Sequence, residues 1–159
     1  MAYFIPQRRS PPGLSHLLDL ELDTEPARLS QTPVGARLAV VLTGGLAHGP
    51  ALEGRVLPGG GDWRIEGTGD SARLDVELTI ATADGDLVLC EASGVIDVPD
   101  DAHDRLRAGA ALAADELYLR VTTRFETGAG ELAWLGRIVA VGVGSLTPTG
   151  AHFEVFQVL

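Results

Sequence analysis

The chain has no lysine and no asparagine, and Cys90 is its only cysteine. Without lysine, Schiff-base chemistry at a side-chain amine is excluded. A single thiol excludes an internal disulfide and a cysteine-rich metal site. Cys90 sits in an apolar run, so its plain reading is a buried, inert thiol. Basic residues are also short: the formal net charge is −10 at pH 7. Such a chain repels phosphate backbones, which argues against nucleic-acid binding. No apolar run reaches membrane-spanning length. Residues 1–10 lack the apolar centre of a signal peptide, so the chain is expected in the cytoplasm.

Standard catalytic signatures are missing too. No serine has G-x-S-x-G spacing, and there is no H-E-x-x-H. The four histidines are scattered, so spacing gives no metal-ligand cluster, and neither metal nor cofactor is expected. Gly59-Gly60-Gly61 lacks the lysine and the helix that follow the glycines of a phosphate-binding loop.

Apolar residues make up 45% of the 159 positions, enough for one packed domain. Residues 1–13, with Pro6, Pro11 and Pro12, are expected as an irregular N-terminal arm. The arm has two readings, a frayed end or a segment packing on the partner of a homodimer. From residue 14 onward one β-domain is expected. His16, Leu18, Leu20 and Leu22 share one parity, with Asp19, Glu21 and Asp23 on the other, so this is a strand. Residues 36–43 form a buried strand that Gly44-Gly45 breaks. Residues 52–57 form a short one. Leu74, Val76, Leu78 and Ile80 alternate with charged residues, and Asp84-Gly85 turns that strand into 87–92 as a hairpin. Asp100 or Asp101 can cap a helix over 102–114. Residues 116–125, 132–144 and 153–158 read as further strands. The small residues Ala140, Gly142 and Gly144 share one parity, which lets another group approach closely. About eight or nine strands and one helix favour an antiparallel barrel or sandwich.

The stretch Leu57-Pro58-Gly59-Gly60-Gly61-Asp62-Trp63 stands out, with three glycines followed by an acid and a large aromatic. It is expected to fold over a barrel mouth. Tyr118 and Arg120 lie two apart and share a strand face. Glu126 keeps that face if no bulge intervenes. These residues define a candidate site: Glu126 or Asp62 as base, Arg120 and Tyr118 stabilising negative charge. Trp63, Trp134 and His16 are candidate substrate contacts. The plain alternatives are a structural ion pair of Arg120 with a carboxylate, tryptophans as core plugs and a hydrogen-bonded core histidine.

Thr43-Gly44-Gly45, Gly49-Pro50, Gly54, the run Val56 to Trp63, Asp84-Gly85, Gly94, Tyr118-Leu119-Arg120, Arg124-Phe125-Glu126-Thr127 and Trp134-Leu135 together resemble the DUF3237 family, also called UPF0311. The resemblance runs from Leu14 to the C-terminus. It implies a small lipocalin-like β-barrel and little about activity. Gly136 departs from it, standing where the family usually has asparagine.

Two readings of function follow. One is a cofactor-independent enzyme of lyase, hydratase, isomerase or cyclase type, acting by acid–base chemistry on a small, partly apolar molecule, as in specialised metabolism. The other is a barrel that binds such a molecule without chemistry. A purely structural module would have a filled barrel.

Overall fold

The computed structural model describes residues 10–33, 35–66 and 71–159, without the side chains of 62–66 and 71. Most of the N-terminal arm therefore lies outside the described residues.

The strands are β1 (Leu14–Thr24), β2 (Arg28–Thr32), β3 (Gly35–His48), β4 (Gly54–Val56), β5 (Gly61–Glu66), β6 (Ser71–Ala81), β7 (Leu87–Asp97), β8 (Tyr118–Thr127), β9 (Ala140–Thr147) and β10 (Gly150–Val158). A short helix, α1 (Ala102–Arg107), precedes β8, and a 3-10 helix (Gly130–Arg137) precedes β9. The antiparallel sheet runs β1-β10-β9-β8-β7-β6, then the position shared by β4 and β5, then β3, which pairs back onto β1. The ring is thus a closed eight-position barrel, and β2 is an extra strand on β3. Closure removes the exposed edges that an open sheet would leave.

Alternation puts the aliphatic rows inside. Leu74, Val76, Leu78 and Ile80 of β6 pair with Gly94, Ala92, Cys90 and Val88 of β7. Gly142 and Gly144 leave space on β9, and Phe153, Leu119 and Val121 occupy it. The interior cavities bounded by described side chains are only about 40 and 10 Å³.

The Gly-rich stretch is part of the wall. β4 and β5 pair with the same two strands, β3 and β6. Residues 57–60 are therefore a bulge within one barrel position. They stay stitched in: Leu57 N–H donates to the Thr79 carbonyl, Gly59 N–H to that of Leu42, and Leu42 N–H to that of Gly60.

Other expectations need correction. β3 runs through Gly44-Gly45 because both glycines adopt positive φ and the β1 pairing merely shifts there. A bulge between His16 and Leu18 buries both Leu17 and Leu18 and turns His16 outward. The helix expected over 102–114 stops at Arg107, followed by Gly109 at positive φ. Leu112 is then pulled into a bridge with Leu146. The strand expected over 132–144 is a 3-10 turn first and a strand only from Ala140. Among the described residues, no helix is long and apolar enough to cross a membrane.

Candidate functional site

The largest described cavity is a cleft where two neighbouring strands part. β8 and β9 pair only from Arg120 with Val143 to Thr123 with Ala140. Beyond that rung the chain before β9 bends away as the 3-10 helix. Thr127 sets up the bend: its Oγ1 donates to the Leu87 carbonyl at 2.8 Å and accepts the Ala129 N–H at 3.1 Å. Fully buried Leu135 then anchors the helix to the barrel. The opening between helix and β8 holds about 700 Å³, within the range of small-molecule pockets.

Phe125, Leu135, Ile138 and Ala140 give this cleft an apolar lining, with Leu89 and Val139 beside them. Glu91, Arg124, Glu126, Thr122 and Thr127 add polar groups, and Gly136 leaves one side open. Arg124 stands directly opposite Glu91 across β7 and β8, whereas Glu126 stands opposite the hydrocarbon Leu89. Among the described residues Glu126 has no ion-pair partner. Thr123 also lines the cleft, is 3% exposed, and its Oγ1 has no hydrogen-bond partner. It borders a small interior cavity as well, so it stands between cleft and lumen.

The structure divides the residues singled out in the sequence. Tyr118, Arg120 and Glu126 do share one face of an unbroken β8, and that face is the outer one. Leu119, Val121, Thr123 and Phe125 take the inner face. Arg120 makes no ion pair with Glu126; its guanidinium lies 5.0 Å from the Tyr118 ring centre and donates to the Leu119 carbonyl. Of these three, only Glu126 lines the cleft. Trp134 sits on the 3-10 helix, half-buried against the core. Asp62 and Trp63 belong to β5, and their side chains lie outside the described residues. By register Asp62 is in the row of Val40 and Val76, which face the lumen, and Trp63 is in the row of Ala39 and Asp75. His16 is on the outside, edge-on to Phe156 at 5.6 Å.

The histidines are less scattered in space than in sequence. His16 Nε2, His152 Nε2 and His48 Nδ1 lie 3.2, 3.6 and 4.0 Å from the Asp19 carboxylate. Pairing of β1 with both β3 and β10 brings them together. Among the described residues, no group of His, Cys, Asp and Glu is arranged to hold a metal ion.

Sequence reasoning missed Glu91, Thr123 and Arg124 as site residues, giving the charge-stabilising role to Arg120 and Tyr118 instead. Thr123 did leave a trace, as a polar residue between the buried Val121 and Phe125 in the inward row of β8. Cys90 is buried as expected, and burial, with Glu91 nearby, pushes its thiol up to about 12.

The sequence model of the family described as "Protein of unknown function (DUF3237)" matches residues 12–158. A UPF0311 protein of Rhodopseudomonas palustris is 29% identical over 125 residues, covering 79% of this chain and 82% of the relative. A β-barrel-like protein from Acinetobacter baumannii superposes with a TM-score of 0.80 at 26% identity, over 97% of this chain and all of that one. A structure described as an enzyme from Penicillium herquei superposes with a TM-score of 0.73 at 23% identity, over 98% of this chain and all of that one.

Proposed function

The chain belongs to the DUF3237 family, and from that premise we propose that it is a cofactor-independent enzyme acting by acid–base chemistry on a small molecule held in the wall cleft. One observation carries the reading: Glu126, Arg124 and the unpartnered Thr123 hydroxyl border the same apolar-lined cavity. Two stretches of the resemblance, Arg124-Phe125-Glu126-Thr127 and Trp134-Leu135, reach this cavity through five of their six residues. The Penicillium herquei neighbour supports catalysis as something this barrel can host; fold alone does not fix the chemistry.

Glu126 is the base in this reading. Its carboxylate takes a proton from a carbon or hydroxyl of the bound molecule, and the Arg124 guanidinium offsets negative charge developing on a neighbouring oxygen. Returning the proton elsewhere on the molecule gives an isomerase or a cyclase. Expelling or adding water gives a lyase or a hydratase. Asp62, in a lumen-facing row, is the second candidate base. Tyr118 and Arg120 share the outer face of β8, but Arg120 lies six residues from Glu126, about 20 Å along the strand, and neither Tyr118 nor Arg120 lines the cleft. The setting proposed is the cytoplasm.

The competing reading, binding without chemistry, draws on the exposure of Glu91 and Glu126, since a base working in water gains less from its surroundings. Incubating the wild-type protein and Glu126→Gln with a small-molecule extract, followed by mass spectrometry and chromatography, separates the two. The enzyme reading expects compounds that shift retention at constant mass, or gain or lose water, with wild type only. Retention of compounds by both proteins without conversion supports the binding reading.

A further inference from the structure

We infer that the ligand of the wall cleft is a small amine with an apolar body, its ammonium group held by Glu126 and its body lying over Gly136; this rests on the cleft being the reacting site. The charge pattern selects the sign. Three charged side chains border the cleft, two acids and one base. Arg124 and Glu91 are direct cross-strand neighbours, with no ion-pair contact between them among the described residues. Glu126 faces Leu89, with no charge opposite it and no ion-pair partner among the described residues, so the cleft carries one more acid than base. The net charge of −10 draws cations toward the molecule and turns anions away.

Gly136 sets the shape. It is exposed on the cleft wall, and a Cβ there would meet only the Phe125 carbonyl oxygen, at 3.4 Å. Nothing in the packing forbids a side chain at this position; one would stand in the cleft. Its absence leaves that part of the cleft, beside Phe125 and Val139, free of a side chain. The Thr123 hydroxyl lies in the same cleft as the remaining unsatisfied polar group, ready for a donor or acceptor on the ligand body. Leaving such a group unpaired is costly, so a ligand that pairs it gains selectivity.

The test uses three probes of nearly equal shape: 2-phenylethylamine, 2-phenylethanol and phenylacetate. Binding is followed by NMR chemical-shift titration on the full chain, and each variant's thermal midpoint checks its fold. The amine is expected to bind about ten-fold or more tighter than the alcohol and the acid. Glu126→Gln should remove that preference, and Gly136→Leu should weaken the amine by about ten-fold while Gly136→Ala stays within about three-fold. Equal or better binding of phenylacetate overturns the inference, as does an amine affinity unchanged in Glu126→Gln, or no binding by any probe. Amine binding that depends on Glu126, with no conversion of any amine, sinks the enzyme reading alone. Glu126-dependent turnover of acids sinks the amine inference alone.

Discussion

Thr123 and Ala140 are the last directly paired residues of β8 and β9, and beyond them the barrel wall parts. That rung sets where the largest described cavity opens. The described lumen is filled mainly by aliphatic side chains. At this one seam the 3-10 helix replaces a strand partner and leaves a cavity with mixed lining. Thr123 ends the ladder and also carries the one buried side-chain polar atom without a partner among the described residues.

Replacing Thr123 with valine tests that hydroxyl. The two side chains have nearly the same shape, so packing is preserved, and the substitution removes a buried polar group that makes no hydrogen bond. Thr123→Val is expected to leave stability unchanged or raise it by about 1 kcal/mol. Urea unfolding measures the difference. A loss of more than about 1 kcal/mol means that the hydroxyl is satisfied, by water or otherwise.

Cys90 makes a prediction about alkaline pH. In the folded protein its thiol stays protonated up to about 12, against an ordinary 9.0. Above pH 9 the unfolded chain releases a proton that the folded chain retains, so alkali favours unfolding. Stability is full below pH 9 and falls toward pH 12, by up to about 1.4 kcal/mol per pH unit from this group. Urea unfolding at a series of pH values, compared between wild type and Cys90→Ala, isolates that slope. In native protein at pH 8 the thiol should resist iodoacetamide and react only after denaturation; rapid native alkylation counts against this burial.

The wall bulge separates two kinds of glycine. Gly59 has φ +108° and open space where a side chain would go, whereas a Cβ on Gly60 would run into the Glu77 carbonyl oxygen. Gly59→Ala therefore meets backbone strain alone, and is expected to cost about 1–2 kcal/mol. Gly60→Ala forces β5 and β6 apart and is expected to cost about 3 kcal/mol or more. Chemical denaturation ranks the two; the reverse order would show that the bulge is not wedged between β3 and β6.

The barrel was legible because its rows alternate cleanly. Leu74 to Ile80 and the Asp84-Gly85 turn announce a hairpin, and the structure has one. Legibility failed where one residue is inserted or where the period changes. The extra residue at Leu17 turns His16 outward, and no local pattern marks it, since His-Leu-Leu fits either register. The segment before β9 reads as a strand because Trp134, Gly136 and Ile138 continue the parity of Ala140, Gly142 and Gly144. Only the close packing of Leu135 against the barrel shows it to be a 3-10 turn. Strand parity placed Tyr118, Arg120 and Glu126 on one face correctly, but it does not say which face is inside. That depends on the neighbouring row of Leu119, Val121 and Phe125, which is the more apolar of the two.

The placement of those residues ranks three substitutions by their effect on turnover. Arg120 packs on Tyr118 away from the cleft, so Arg120→Met should cost less than about ten-fold in kcat/KM. Glu126 borders the cavity with a free carboxylate, and Glu126→Gln keeps its size while removing the proton acceptor. A lost general base costs about 10²–10⁴-fold, read in kcat/KM, and for an amine substrate the lost counter-charge adds a weaker KM to the loss in kcat. Asp62 stands in a lumen-facing row of β5, so Asp62→Asn asks whether the reacting atoms are in the cleft or in the lumen. If the cleft is the site, Asp62→Asn leaves turnover within about ten-fold of wild type. The ranking Glu126 well ahead of Arg120 and Asp62 is the expected outcome, measured as steady-state rates with thermal midpoints beside them. A kcat collapse in Asp62→Asn with Glu126→Gln near wild type would move the chemistry from the cleft to the lumen.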